Sequence, residues 1–267
     1  MSHRRACGLF AVQRSTWYYR SRKDPESGLR MQLRDLAMSR PRYGYRRLQV
    51  LLRRRGVLVN HKKVHRLYRE EGLMVRRKTR RKIASQLRTT PPVPVRPNER
   101  WSMDFVADVL ANGTRFRTLN VLDMYTREAV AMEVAFSLPA DAVTRALDTA
   151  IAERGAQPEV ITIDNGTEFT SRHFDNWAHA RGIRLDFIRP GRPVENGYVE
   201  SFNGKYRDEC LSQHWFLGLE DARATIARWR TEYNEERPHS SLGDLAPAEY
   251  LSTVLDRSPT HKPRNPS

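Results

Sequence analysis

Three carboxylates stand in sequence contexts that could place them in one site. Asp104 lies inside the apolar run 101–106, and Asp164 directly follows four β-branched residues. Such a run, when it ends at an acid and a glycine, is typical of a buried strand with an exposed carboxyl end. Glu200 lies in a segment with the pattern of a helix. Carboxylate oxygens are the ligands that Mg²⁺ or Mn²⁺ prefers, so the three acids predict a metal centre.

The chemistry expected at this centre is displacement at a phosphodiester. Two ions roughly 3.5–4 Å apart activate a nucleophile and stabilise the leaving oxygen. Asp104 is predicted to bridge both ions, Asp164 to bind one of them and Glu200 to bind the other. Each acid alone could be a cap or a surface carboxylate, but three together favour the metal centre. Two rival acids, Asp108 on the face of Asp104 and Asp123 at the end of the next strand, are predicted to be structural.

The helix that carries Glu200 would present several polar residues beside it. Asn196, Asn203 and Arg207 fall on the same helical face as this acid, and an apolar stripe next to it would pack on a sheet: Val199, Phe202 and Tyr206. Arg207 is predicted to bind a DNA phosphate, the alternative being a pair within the helix. Glu168, four residues after Asp164, is predicted to be structural. The predicted DNA contacts in this part of the chain are Asn165, Asn203, Lys205 and Arg207.

The elements that would position these residues follow an α/β pattern. Strand-like runs at 100–110, 115–125 and 129–136 come first, with Asn112-Gly113 as a hairpin turn between the first two. A helix opened by Asp141 follows, and then a strand at 160–164, a helix at 172–181, a strand at 185–188 and the Glu200 helix. This order predicts a mixed five-stranded sheet, antiparallel on one side and parallel on the other, with flanking helices.

The charge is concentrated at the start of the chain. The net charge is +16, and residues 1–100 hold 28 of the 47 Lys and Arg residues but only 6 of the 31 Asp and Glu residues. Three short amphipathic helices within this part have apolar inner faces, and Asn60 is expected to cap the third. Ser15 is expected to cap a helix nearer the start. Cations without acids repel one another unless a polyanion is near, so DNA binding is favoured over a solvated helical bundle.

The small helical unit predicts a helix-turn-helix module whose last helix would enter a DNA groove. Its predicted DNA contacts are Arg46, Arg47, Lys62, Lys63 and Arg66. The chain as a whole is expected to divide into a partial helix-turn-helix segment at 1–24, the DNA-binding domain at 25–75, a basic and proline-rich linker at 76–97, the catalytic core at 98–212, a C-terminal helical extension at 213–255 and a disordered tail at 256–267.

Other classes of protein are disfavoured by composition. Cys7 and Cys210 are the only cysteines, which excludes a disulfide framework and favours a reducing compartment. His61 and His65 are four residues apart, but no Cys-x-x-Cys accompanies them, so a zinc site is not expected. No apolar run approaches the roughly 18 residues that a membrane span needs. The sequence predicts a cytoplasmic protein without a membrane anchor.

The acidic motifs carry a resemblance to a known family. Residues 101–104 (WSMD), 162–169 (TIDNGTEF) and 195–203 (ENGYVESFN) resemble the three motifs of the ribonuclease-H-like integrase and transposase superfamily. More narrowly, they resemble the second-frame transposases of bacterial insertion sequences, which are related to retroviral integrases. The 35 residues between Asp164 and Glu200 match the spacing of the family's DD(35)E signature. Residues 41–48 resemble its DNA-binding module and residues 233–239 its C-terminal segment, so the resemblance covers nearly the whole chain.

The resemblance implies a ribonuclease-H-like fold and a DNA transposase with two Mg²⁺ or Mn²⁺ ions. Water or a 3′-hydroxyl would attack a phosphodiester without a covalent enzyme–DNA intermediate. The implied partners are transposon ends, target DNA, further copies of the chain on DNA and an upstream-frame protein that supplies another helix-turn-helix and a coiled coil. Two alternatives stay open: a nuclease of the same fold that never joins strands, and an inactive DNA-binding remnant.

Overall fold

The computed structural model describes residues 2–20, 26–75, 93–164, 166, 168–188 and 196–257. Predictions that fall on the linker residues 76–92, on Asn165, on the loop 189–195 and on the tail 258–267 lie outside these residues. The described helices are α1 His3–Leu9, α2 Arg14–Trp17, α3 Ser27–Ser39, α4 Tyr45–Arg54, α5 His61–Glu70, α6 Ala140–Arg154, α7 Arg172–Ala180, α8 Gly197–Glu209, α9 Leu219–Glu235 and α10 Pro247–Arg257. The described strands are β1 Arg100–Val109, β2 Arg115–Asp123, β3 Ala129–Ala135, β4 Val160–Ile163 and β5 Arg184–Phe187.

Helices α3, α4 and α5 form a small unit with its own core. The apolar residues expected on their inner faces gather there, including the fully buried Leu33, Leu48 and Leu67. The predicted cap on α5 is confirmed, because the Asn60 side chain accepts a hydrogen bond of 2.9 Å from the backbone N–H of Lys62. The predicted cap at Ser15 is wrong: the extended residue before α2 is Gln13, so the helix begins ahead of that serine and encloses it.

The five strands form one sheet in the order β3-β2-β1-β4-β5. β1 pairs antiparallel with β2, and β2 with β3, whereas β4 runs parallel to both β1 and β5. The predicted mixed sheet is therefore confirmed. Strand β2 is shorter than expected because the carboxylate of Asp123 accepts the N–H groups of Tyr125 and Thr126 and turns the chain there.

Helices cover both faces of the sheet. On one face α6 and α7 pack over a cluster that contains Trp101, Ile161 and Phe174. On the other face α8 and α9 bury the aromatic residues Phe202, Tyr206, Trp229 and Tyr233. The apolar stripe expected on α8 therefore faces the sheet and fixes which way its polar faces point. None of the helices in the described part of the chain is long and apolar enough to span a membrane.

Candidate active site

The register of two parallel strands sets the positions of the first two acids. Ser102 on β1 lies opposite Thr162 on β4. Asp104 and Asp164 each follow two residues later, and side chains two residues apart point to the same face of a sheet. The two carboxylates are close enough for the negative charge of Asp164 to raise the pKa of Asp104.

Asp104 is partly buried, and its surroundings act on its charge in both directions. Burial is the largest effect and raises the pKa of Asp104, and the charge of Asp164 raises it further. The backbone N–H of Phe105, 2.8 Å from Oδ1, works against this shift, as do the nearby Arg207 and Asn203. Two like charges held in a shielded place favour a cation between them. The oxygen donors therefore fit a divalent metal ion.

A pair of amides holds Asp104 in place. The Asn203 side chain donates a 2.7 Å hydrogen bond from Nδ2 to Oδ2 of Asp104. In turn its Oδ1 accepts a 2.7 Å hydrogen bond from Nδ2 of Asn120, which lies opposite Asp104 on β2. Asn203 is only 2 % exposed and Asn120 is fully buried. Asn203 thus contacts Asp104. The predicted contact of Asn203 with DNA stays a prediction.

Asp164 sits at a tight turn that leaves little space around its carboxylate. The backbone N–H of Gly166 donates a 3.0 Å hydrogen bond to Oδ1 of Asp164. A Cβ atom at position 166 would stand 2.9 Å from that oxygen, closer than such atoms approach. Glu168 pairs with Arg117, whose guanidinium lies 4.1 Å from the centre of the Phe105 ring. Those contacts agree with the structural role predicted for Glu168.

Glu200 does not complete a metal-binding group of three acids with the two aspartates in this structure. It is exposed in the first turn of α8, one helical turn before Asn203. Within the described ranges, no three His, Cys, Asp or Glu side chains lie close enough together to hold a metal ion. Arg207, exposed on the same helix, is near enough to Asp104 to lower the pKa of that acid. The structure thus brings together Asp104, Asp164, Asn203 and Arg207, with Glu200 on the same face of α8.

The rival acids have other contacts. Asp123 is fully buried and accepts hydrogen bonds from the N–H groups of Asn98, Tyr125 and Thr126, besides its pair with Arg154. Its oxygens are thereby used within the fold. Asp108 accepts a 2.9 Å hydrogen bond from the next backbone N–H. These contacts agree with the structural roles that the sequence favours for both acids.

We call the unit formed by helices α3, α4 and α5 the N-terminal module. Its predicted DNA contacts differ in their surroundings. Lys63 and Arg66 both pair with Glu26, at 2.7 Å and 2.8 Å. Arg47 lies 3.4 Å from Glu209 at the end of α8. Arg46 and Lys62 are exposed on α4 and α5. Contact with DNA remains a prediction for all five cations: Arg46, Arg47, Lys62, Lys63 and Arg66.

Two features of the site region were not anticipated from the sequence. One is Asn120, whose only signal is an amide inside the short apolar stretch 119–122. The other is a buried pair in which Arg237 donates hydrogen bonds of 2.7 Å and 2.6 Å to both oxygens of Glu209. The segment 233–239 is recognisable as a motif in the sequence, but the sequence gives no sign of its contact with α8.

Comparison with known proteins places these features in a family. A model described as "Integrase core domain" matches residues 94–193, a second model with that description matches residues 181–247, and one described as "HTH-like domain" matches residues 30–88. The chain is 49% identical over 253 residues to an uncharacterized 31.7 kDa protein of insertion element IS407 from Burkholderia multivorans, covering 94% of this chain and 91% of that protein. The chain belongs to the integrase-core family of insertion-element transposases.

Other relatives agree with the family. The chain is 45% identical to an uncharacterized 39.2 kDa protein of insertion element IS476 from Xanthomonas euvesicatoria, over 94% of this chain and 73% of that protein. It is 28% identical to the transposase InsD for insertion element IS2D of Escherichia coli K12, over 87% of this chain and 81% of that protein. These relatives confirm the family membership that the acidic motifs predict for this integrase-core protein.

A solved structure supports the fold. The simian T-cell lymphotropic virus intasome, determined by electron cryomicroscopy in complex with the PP2A regulatory subunit B56 gamma, contains a chain that aligns with a TM-score of 0.55 at 18% identity. The alignment covers 82% of this transposase-family chain and 72% of that chain. The predicted ribonuclease-H-like fold is thus confirmed.

Proposed function

We propose that this protein catalyses metal-dependent cleavage and strand transfer of the DNA of an insertion element. The observation that carries the proposal is the pairing of β1 with β4, whose register ends two residues before Asp104 and Asp164, together with the effect of the Asp164 charge on the pKa of Asp104. Family membership supports the same reaction class. Water or a DNA 3′-hydroxyl forms the new phosphorus–oxygen bond, and the bond to the leaving DNA oxygen breaks.

The three acids are assigned as ligands of two divalent ions, Mg²⁺ or Mn²⁺. Asp104 would contact both, Asp164 one and Glu200 the other, after the N-terminal turn of α8 or the Glu200 side chain moves toward the aspartates. When bound, the ions would supply activation of the attacking oxygen and stabilisation of the leaving oxygen. The partial burial of Asp104 beside Asp164 supports this assignment, because bound cations would offset the repulsion between the carboxylates.

The other residues of the site orient the acids and the substrate. Asn203, itself held by Asn120, fixes the direction in which the Asp104 carboxylate points. Asn196 donates a long hydrogen bond of 3.5 Å to the carbonyl oxygen of Met103, which ties the start of α8 to β1. Arg207 is proposed to hold a DNA phosphate beside the acids, since a guanidinium matches phosphate geometry and stays charged.

The proposed partners are DNA and further copies of the chain. Transposon ends and target DNA are the expected substrates, and the N-terminal module is expected to bind DNA through its exposed basic helix faces. Assembly of several copies on DNA, and cooperation with an upstream-frame protein, are part of the same proposal. Action on DNA inside the cell would place the protein in the cytoplasm.

An assay of joining tests the proposal. Purified protein is incubated with a labelled duplex that carries the element's terminal repeat, a target plasmid and Mg²⁺ or Mn²⁺. We expect joined products that disappear with a chelator, and a fall of about 10³-fold or more for Asp164→Asn, because one ion loses a ligand. The matched control is Asp175→Asn, an exposed acid on α7. Hydrolysis without joining would indicate a nuclease instead, and DNA binding without either reaction would indicate an inactive remnant.

A further inference from the structure

A group of cations lies on the side of α8 that faces away from the catalytic acids. Lys205 shares a helical face with Tyr198, Ser201 and Glu209, roughly opposite Glu200. Three arginines from other parts of the chain lie close enough to alter the pKa of Lys205. We call the four residues the basic cluster: Arg47 from α4, Arg127 from the turn after β2, Lys205 from α8 and Arg237 after α9.

One carboxylate, Glu209, balances part of this charge. It accepts two hydrogen bonds from the buried Arg237 and lies 3.4 Å from Arg47. Within the described part of the chain, neither Lys205 nor Arg127 forms an ion pair. Lys205 Nζ donates a 3.0 Å hydrogen bond to Ser201 Oγ. The cluster therefore carries more positive charge than its acid can neutralise.

Arg127 has a hydrogen-bonding group that the described protein leaves unused. Its guanidinium carbon lies 3.8 Å from the centre of the Tyr198 ring. Its Nη1 atom is shielded from solvent and has no hydrogen-bond partner among the described residues. A donor in this state costs free energy unless an acceptor reaches it. The Tyr198 ring fixes the plane of the guanidinium and so keeps the donor in one position.

Burial and repulsion by the cations of the basic cluster lower the pKa of Lys205, which belongs to that cluster, and of the nearby His239. Burial and the charge of Arg237, with Arg47 and Arg127 adding to them, lower the pKa of Lys205 to about 8, although Glu209 acts in the opposite direction. Burial, together with the same cations, lowers the pKa of His239 to about 2. Positive charge is thus disfavoured in this region of the free protein. An anion brought into it would offset that cost.

We propose that Lys205 and Arg127 bind a phosphate of the DNA backbone, at a second site separated from the catalytic acids by the width of α8. The proposal rests on DNA being the substrate of the proposed function. A phosphate offers the negative charge that Lys205 and Arg127 both lack, and it can meet the exposed part of the half-buried Arg127 side chain although Nη1 itself is shielded. Because Arg47 belongs to the N-terminal module, DNA bound here would also hold that module against the catalytic core.

The test compares stability and DNA binding in the same variant. Lys205→Met keeps the length of the side chain and removes its charge. We expect the free variant to unfold at a higher temperature than the wild type, since an unneutralised cation is gone. Its affinity for a terminal-repeat duplex at low salt should fall roughly tenfold, and the slope of log K against log salt should become shallower by about 0.9.

A matched control separates this effect from loss of any one cation. Arg145→Met removes an exposed cation on α6, on the other face of the sheet, where it pairs with Asp141. This control should leave both DNA affinity and the salt slope unchanged. A Lys205 variant that unfolds at a lower temperature and binds DNA like the wild type would show that the lysine is structural, and the proposal would be wrong.

A second variant and a second ligand complete the test. Arg127→Gln should weaken DNA binding in the same direction, and combining it with Lys205→Met should reduce the salt slope further. Inorganic phosphate should raise the unfolding temperature of the wild type more than that of either variant. Stabilisation by phosphate with unchanged DNA binding would assign the site to a free anion and overturn the DNA assignment. Asp164→Asn should bind DNA normally, so failure of catalysis and failure of this site are distinguishable.

Discussion

The turn after Asp164, a proposed metal ligand, contains a glycine whose missing methyl group leaves room for the carboxylate. Gly166 donates its N–H to the carboxylate, and one oxygen of that carboxylate lies 2.9 Å from the place where a Cβ would be. The absence of a Cβ at this residue therefore allows the Asp164 carboxylate to keep its observed position. The conformational freedom of glycine is not what the position needs.

Replacement of this glycine is the prediction at the residue scale. In Gly166→Ala the new Cβ would stand 2.9 Å from Asp164 Oδ1, so the carboxylate must move. We expect joining activity to fall by about 10–100-fold, because catalysis is sensitive to displacements near 1 Å. The measurement is the strand-transfer rate at saturating metal, together with urea unfolding.

Gly28→Ala serves as its control. Position 28 lies in the first turn of α3 with open space around it, so alanine should stabilise the helix slightly and leave the rate unchanged. If Gly166→Ala retains wild-type activity, the turn does not fix the acid.

At the scale of elements, α8 has three faces with separate tasks. The face with Glu200 belongs to the candidate active site, and the face with Phe202 and Tyr206 packs on the sheet. The face with Lys205 lies near Arg237 in the segment after α9. Tyr206 adds a buried 3.0 Å hydrogen bond to Thr118 of β2. Rotation of the helix would therefore disturb all three faces together. The buried pair of Glu209 with Arg237 is the contact that locks α8 to the segment after α9.

Breaking this pair is the prediction at the element scale. The side chains of Arg237 and Glu209 are only 2% and 9% exposed. Arg237→Met leaves Glu209 shielded with Arg47 as its remaining partner, and we expect the free energy of unfolding to fall by about 3 kcal/mol. Relief of repulsion on Lys205 would offset only part of this loss. Urea denaturation gives the value.

The double variant Arg237→Met, Glu209→Leu tests the physical reason. It removes both charges, so it should recover much of the stability that the single variant loses. A single variant as stable as the wild type would mean that the pair does not hold α8 in place.

At the scale of the whole molecule, ion pairs join the N-terminal module to the rest of the protein, beside a contact of the Tyr43 ring with the Arg237 guanidinium. Arg40 pairs with Glu232 and Glu236 at 3.3 Å and 2.9 Å, and Arg54 pairs with Glu249 at 2.5 Å. These side chains are partly exposed, so each pair contributes about 0–1 kcal/mol and is weakened by salt. A polyanion can therefore compete for these three ion pairs of Arg40 and Arg54.

The corresponding prediction concerns the size of the free protein in solution. We expect the radius of gyration from small-angle X-ray scattering to increase when salt is raised from about 0.1 M to about 1 M, where charges interact over only ~3 Å. Arg54→Glu should give the larger size already at low salt. Adding Glu249→Arg to that variant should restore the compact form. Equal sizes at both salt concentrations would show that other contacts hold the module.

Local pattern determined much of the architecture. Apolar spacing of 3.6 and 2 residues gave the helices, the strands and the stripe of α8, because each of these depends on neighbours along the chain. The Asn112-Gly113 turn and the Asn60 cap were predictable for the same reason. The start of α2 was not predictable in this way, because a serine near a helix start, such as Ser15, can equally lie inside the first turn. The motifs of the three acids pointed to the family, although their roles as ligands remain predictions.

Only the tertiary structure decided which side chains meet. Asn203 reaches Asp104 across 99 positions of sequence and Asn120 across 83, and Arg47 reaches Glu209 across 162. Contacts between residues so far apart in the chain produce no periodic pattern in the sequence, because they arise from the packing of whole elements. The same holds for Arg127 and Lys205, whose charges stand close together only after α8 docks on the sheet. The sequence by itself determined the elements and the candidate acids, and folding determined their partners.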